Sequence, residues 1–329
     1  MKLFKIIEEH MLRPSPVSSK RMPTFYPSAA SCRDQEMIGV QNVYTGDSGI
    51  GSGDPSVIHG ACLRSQWYRC AGFRESNPST AYNQYIFAAG NMWEDWLTEQ
   101  CKQAGIWLGN SIKWSLPEYY ISGEIDILIR GEDGRPVIVE NKTYNGSNYN
   151  AKGEICGVAG RRPTPKYGNA MQAALYLEYF SKPENGGVDK VLLTYMDRSC
   201  SGTDAYQQFD VTLNKQGDRT YIHLETTDIK GTPYSYDLPG VTMEGIFARY
   251  QELMASLQSS LENPPPADFM HIYPPEVVER KFADGEIAKT NYEKWKRDPD
   301  KYPLGYYMCR SYCGYRDLCK SHKELNGEL

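Results

Sequence analysis

The chain lacks any run of eighteen apolar residues, so no part of it reads as a membrane-spanning helix. It also lacks an apolar core at its start: MKLFKIIEEHMLRP interrupts its hydrophobic residues with acidic ones, unlike a signal peptide. There is no surplus of positive charge. With 36 Lys and Arg against 41 Asp and Glu the net charge is −5, which argues against a protein coated in nucleic acid, although local basic patches can still meet phosphates. An even set of cysteines is missing too. Nine of them in a chain without an export signal disfavour a disulfide framework and favour reduced thiols or metal ligands. These absences together lead us to expect a soluble protein of the cytoplasm.

What is present is enough apolar material for a sizeable core, 40% hydrophobic and 12% aromatic over 329 residues. The most informative stretch is Tyr119 to Lys142, YYISGEIDILIRGEDGRPVIVENK. Tyr119–Arg130 and Pro136–Lys142 are rich in Ile, Val and Tyr, and Gly131-Glu132-Asp133-Gly134 between them has turn chemistry, so a hairpin is expected. Side chains alternate faces along a strand, which puts Glu140 and Lys142 on one face and Asn141 on the other. Asp126 on the partner strand can reach the Glu140 face. Two carboxylates and an ammonium would then converge, and burying them is costly unless they meet each other, a metal or a ligand. The pattern asks for a cation.

Around the hairpin, residues 1 to about 25 show no sustained periodicity, and Gly46–Ser56 is Gly/Ser-rich like a loop. Asn83–Ala104 reads as a helix with an apolar stripe of Ile86, Ala89, Trp93, Trp96 and Leu97, and Glu94 at its edge one turn after Gly90. Glu94 alone would be an ordinary surface carboxylate; it gains interest if this helix packs on the hairpin. Asn145–Arg162 is too polar and Gly-rich for a core element and reads as a loop facing substrate. Thr164-Pro165 then offers an N-cap and a first helical residue for KYGNAMQAALYLEYF, in which Gln172 and Tyr176 share a face. Val188–Met196, Tyr206–Leu213 and Arg219–Glu225 extend a mixed sheet. Val241–Leu261 is a helix ended by Pro264-Pro265-Pro266, and Pro274–Asp298 is a charged helical segment.

Near the C-terminus, CRSYCGYRDLC gathers Cys309, Cys313 and Cys319 within eleven residues. Three soft thiolates fit zinc or iron–sulfur with a fourth ligand from elsewhere. His322, three residues after Cys319, keeps zinc in contention. Cys62, with Cys32 and Cys70 as competitors, could instead close the site across about 250 residues, clasping both ends of the chain.

Taken together, Gly90-x-x-x-Glu94 on a helix, Gly123-Glu-Ile-Asp126 and Glu140-Asn-Lys142 on strands, and Gln172-x-x-x-Tyr176 on a helix resemble the RecB-like branch of the PD-(D/E)xK nuclease superfamily. The cysteine frame narrows the resemblance to the iron–sulfur exonucleases of the CRISPR-associated and AddB-like type. The motifs cover roughly residues 60–180 and 305–320. Two departures stand out: relatives often carry His where this chain has Glu94, and they more often leave two residues between the cysteines matching Cys309 and Cys313.

The resemblance implies an α/β fold with a restriction-endonuclease-like core, a mixed central sheet flanked by helices, and a 4Fe–4S site of Cys62, Cys309, Cys313 and Cys319 joining the N- and C-terminal segments. The implied division is an extension over 1–60, a nuclease core over 61–262 and a C-terminal segment over 263–329 packing back on the Cys62 region. Asp126 and Glu140 would hold Mg²⁺ or Mn²⁺, with Glu94 and the backbone carbonyl of Asn141 completing the shell. Lys142 would orient or deprotonate the attacking water, and Gln172 and Tyr176 would hold DNA and Lys142. Arg64, Arg161, Arg162 and Lys166 are candidate phosphate contacts. The expected activity is exonucleolytic cleavage of DNA, favouring single-stranded ends, in phage or bacterial recombination, replication or CRISPR adaptation. A helicase, recombination or adaptation protein would be the partner, in a bacterial cytoplasm or that of a phage host. The alternatives are a site- or structure-specific endonuclease, and a catalytically silent DNA-binding subunit of a larger complex.

Overall fold

A computed structural model describes residues 38–39, 62–78, 81–116, 119, 121–146, 149–157, 162–199, 206–260, 262–285, 287–306, 309 and 313–325. In chain order these form β1 (Ile38–Gly39), α1 (Leu63–Cys70), α2 (Ala81–Gln103), β2 (Trp107–Leu116), β3 (Ile121–Arg130), β4 (Pro136–Tyr144), α3 (Tyr149–Cys156) and α4 (Tyr167–Phe180). Then follow β5 (Val191–Asp197), β6 (Tyr206–Gln216), β7 (Arg219–Thr227), β8 (Pro233–Thr242), α5 (Met243–Ser259), α6 (Pro275–Ala283), α7 (Lys289–Arg297) and α8 (Arg316–Leu325). Apart from β1, the expected N-terminal extension lies outside the described residues, and so do Cys32 and Arg161. No described helix is long and apolar enough to cross a membrane.

The eight strands form one mixed sheet in the order β1-β3-β4-β5-β6-β7-β8, with β2 also on β3. The β3–β4 hairpin is antiparallel, β4 and β5 are parallel with α3 and α4 in the connection between them, and β5 to β8 meander. A parallel pair needs such a long crossover, and a helix inside it covers one face of the sheet. Here α4 packs on β5 and β6, and α5 on β7, β8 and α1. Between them lies the main core, with Trp67, Tyr68, Ile121, Ile125, Ile138 and Leu193 buried. A smaller core of Ile127, Ile129, Val137 and Val139 lies against Leu97 and Cys101 of α2.

Several sequence expectations shift. The segment 145–162 is not a loop throughout: residues 149–156 form α3, whose Ile155 and Cys156 are buried, with the Tyr144 hydroxyl 3.2 Å from the Cys156 thiol. Packing of its apolar end outweighs its polar composition. Helix α4 begins at Tyr167, because Lys166 and not Thr164 is its N-cap. Thr164 is spent elsewhere: its N–H donates to the Glu154 carbonyl and its hydroxyl to the Arg162 carbonyl. The charged segment 274–298 is two helices around a small core of Val278, Tyr292 and Trp295. Strands β2 and β8 were not anticipated. Gly109, Asn110 and Ser111 in one, and Pro239 and Gly240 in the other, weaken strand propensity, and pairing with β3 and β7 decides the outcome.

The C-terminal part docks on the start of the folded region. The Leu63 N–H donates to the Asp268 carboxylate at 2.6 Å, Arg64 Nε to the Pro265 carbonyl at 2.6 Å, and the Asn77 N–H to the Gly314 carbonyl at 2.8 Å.

Candidate active site

The site lies where two strands of the hairpin part. β2 occupies one edge of β3 from Ile121 to Ile129. On the other edge β4 pairs only with Ile127–Arg130, and β1 only with Ile121 and Ser122, which leaves 123–126 without a ladder partner there among the described residues. The side-chain alternation also changes at this point. Leu128 and Ile138 pack on the main core and Ile127 on the smaller one, yet Ile125 is again in the main core. On β2, between the Asn110–Ile127 and Ile112–Ile125 pairs, Ser111 holds φ at +54°, a conformation that non-glycine residues seldom adopt in a strand. Strain of this kind persists only where the surroundings enforce it, and it accompanies the break in β3.

Asp126 sits at this break. Its carboxylate accepts the Asn141 N–H at 2.9 Å, a donor that the parted ladder would otherwise leave unpaired. Glu140 is fully buried; one of its oxygens takes the Lys142 ammonium, and the other, Oε2, has no hydrogen-bond partner among the described residues. The Asn141 side chain points to the opposite side, where its amide oxygen Oδ1 accepts the Thr194 hydroxyl at 3.0 Å. On α4, Gln172 Nε2 donates to the Tyr176 hydroxyl at 2.7 Å, and that hydroxyl donates to the Glu124 carbonyl at 3.2 Å.

Electrostatics couple these groups. Burial, then the carboxylates of Glu140 and Glu94, hold Asp126 well above the usual carboxyl range. Burial works against the charge of Lys142, but Glu140 and Asp126 outweigh it and raise its pKa. Burial and the same two carboxylates push the Tyr176 phenol well up. The structure thus brings together Asp126, Glu140, Lys142, Gln172 and Tyr176, with Glu94 within electrostatic reach from α2.

The donor set fits a hard divalent cation: carboxylate oxygens, one of them buried and unsatisfied, beside other carboxylates that repel one another. Among the described residues no group of three or more His, Cys, Asp and Glu side chains is arranged to hold a metal.

The cysteines are less converged. Cys313 Sγ lies 4.0 Å from the Ser65 hydroxyl in the first turn of α1, and Cys62 is pushed up to about 11 by burial, then by Asp268, with a smaller contribution from Cys313. Cys309 and Cys319 are buried, and Cys70 lies in the main core.

Of the expected phosphate contacts, Arg64 is corrected: it is 1% exposed and bonded to Pro265, so its guanidinium braces α1 against the C-terminal segment and does not face a solvent-borne ligand. Arg162 is exposed and stacks over the Tyr236 ring at 3.8 Å. Lys166 is exposed at the head of α4.

One contributor escaped sequence reasoning. The Tyr195 hydroxyl accepts the Lys166 N–H at 3.0 Å and Asn169 Nδ2 at 2.8 Å, fixing the first turn of the helix that carries Gln172 and Tyr176. Tyr195 pairs with Lys142 across β4–β5, a relation that only the strand register discloses.

The site is thus a parted hairpin in a mixed α/β sheet, with a buried and a half-buried carboxylate and a lysine at the break and a flanking helix supplying Gln and Tyr. The chain belongs to the PD-(D/E)XK nuclease superfamily, whose family model matches residues 61–320. Members are generally nucleases that use Mg²⁺ or Mn²⁺, so DNA is the substrate this membership implies. No curated protein and no solved structure is significantly similar to the chain.

Proposed function

We propose that the protein is a Mg²⁺- or Mn²⁺-dependent DNA exonuclease that degrades free ends, single-stranded ones above all. The observation that carries the nuclease reading is the meeting of Asp126, Glu140 and Lys142 at the parted hairpin, with Glu140 Oε2 lacking a hydrogen-bond partner among the described residues. Asp126 and Glu140 would hold the ion, with Glu94 and the Asn141 carbonyl reaching toward the same region. A bound divalent ion lowers the pKa of water and stabilises charge gathering on a phosphate. The chain's own residues do the rest: Glu140 holds Lys142 at the break, Lys142 donates to the attacking water and to the scissile phosphate, and Tyr176 and Gln172 fix the wall on which that geometry rests. Lys166 and Arg162 are the phosphate contacts nearest the head of α4. The preference for free ends rests on the resemblance to the iron–sulfur exonucleases of the RecB-like branch, and the settings it implies are phage or bacterial recombination, replication or CRISPR adaptation with a helicase or adaptation partner.

End-labelled linear single- and double-stranded DNA should be degraded with Mg²⁺ or Mn²⁺ and left intact in excess chelator. Closed circles should survive. Cutting of circles would instead establish an endonuclease, and no cleavage of any substrate would favour a DNA-binding subunit.

The same reading places a 4Fe–4S cluster on Cys62, Cys309, Cys313 and Cys319. Its support is that Cys313 lies near enough to Cys62 to add to the raising of its pKa, after burial and Asp268. Protein purified without oxygen should be brown with a broad absorbance near roughly 400 nm. A colourless preparation containing zinc would assign the cysteines to zinc.

A further inference from the structure

The sheet carries a second array that the nuclease chemistry does not use. Across β7 and β8, His223 pairs with Asp237 and Glu225 with Ser235. Ile222, Leu224 and Leu238 point into the main core, so His223, Asp237 and Ser235 share the opposite face of the sheet. His223 Nδ1 lies 2.8 Å from Asp237 Oδ1, and His223 Nε2 lies 3.1 Å from Ser235 Oγ. Asp237 is itself held: Asn214 Nδ2 donates to both of its oxygens at 3.2 Å, and Gln216 Nε2 donates at 2.8 Å. Although burial pushes the Asp237 carboxyl up, His223, Asn214 and Gln216 outweigh it and keep it below its ordinary range.

A carboxylate at Nδ1 favours the tautomer that carries the ring proton there, which leaves the Nε2 lone pair for the Ser235 hydroxyl. Serine, imidazole and carboxylate in that order, with the base within hydrogen-bond reach of the hydroxyl and fixed by a third group, are the requirements for an activated oxygen nucleophile, recognised by geometry and not by position in the chain. Ser235 is exposed, and β8 is the last strand of the sheet, so no ninth strand covers it among the described residues.

We propose that Ser235 is a reactive serine, a site of covalent acylation by neutral esters and related acyl donors with a good leaving group. Ser235 Oγ attacks the acyl carbon while His223 Nε2 takes the hydroxyl proton. The bond from the acyl carbon to the leaving group breaks, and the leaving oxygen receives that proton, so a seryl ester and an alcohol form and the imidazole returns to its neutral state. Glu225, whose carboxylate lies 4.0 Å from His223 Nε2, disfavours anionic donors and directs the choice to uncharged ones.

The test uses the full chain and p-nitrophenyl acetate. A single acetyl group should appear on intact protein and map to Ser235, and Ser235→Ala should not acquire it. His223→Ala and Asp237→Asn should each slow its formation about a hundredfold, while DNA cleavage and melting temperature stay close to the parent values. Asp237→Asn keeps the shape of the array, so it serves if His223→Ala fails to fold. Acetyl groups spread over lysines with none on Ser235, or Ser235 reacting as fast in both variants as in the parent, would overturn the proposal.

Discussion

Lys142→Ala should cut DNA cleavage on the order of 10³-fold or more while leaving DNA binding in place, because it removes a donor that acts on the reacting groups and not on the rest of the strand. Asp126→Ala should do the same. The two variants should nevertheless differ in a way that tests their separate jobs. Without Lys142, Glu140 is left as a buried carboxylate stripped of its cation, and loss of one member of a buried pair costs about 3–5 kcal/mol. A divalent cation can compensate that charge. Mg²⁺ should therefore raise the melting temperature of Lys142→Ala more than that of the parent, by linkage between binding and folding. Asp126→Ala deletes part of the ion's oxygen shell and should lose most of the Mg²⁺-dependent stabilisation. Full activity in Lys142→Ala, or equal Mg²⁺ shifts in both variants and the parent, would remove these assignments.

Trp114→Ala should destabilise the fold by about 3–5 kcal/mol, the range for emptying a buried aromatic site. The ring is 4% exposed and meets the Tyr176 ring edge-on at 5.6 Å, with Tyr179 and Phe180 of the same helix beside it. It is thus the floor on which α4 sets Tyr176 beneath the carboxylates. Activity in whatever fraction remains folded should also fall, since a cavity under Tyr176 frees the hydroxyl from Gln172 and the Glu124 carbonyl. Trp114→Phe keeps the aromatic contact and should retain most of both. Chemical denaturation with parallel cleavage assays reads the two effects separately; a Trp114→Ala protein as stable as the parent would show that the ring contributes no packing energy there.

Much of the site was legible in the sequence because its determinants are local. Strand periodicity places Glu140 and Lys142 on one face whatever the rest of the chain does, and helical spacing joins Gln172 to Tyr176. The hairpin was readable because its turn sits between two β-rich runs. Other features depend on partners far away. The interior position of Arg64 follows from Pro265, 201 residues on, and nothing in CLRSQWYRC distinguishes a buried arginine from one facing phosphate. The helix inside 145–162 depends on Tyr144 and the core beneath it, and β2 and β8 exist because their neighbours offer open edges.

By itself, then, the sequence determined which side chains share a face of a strand or helix, since side-chain identity and the periods of helix and strand are properties of short segments. Only the tertiary structure decided that β3 and β4 part beside Asp126, that Glu140 is fully buried against Lys142, that Tyr195 fixes the head of α4, and that His223, Asp237 and Ser235 align. Each of these is a matter of register between strands, and register is set by which side chains the whole core buries together.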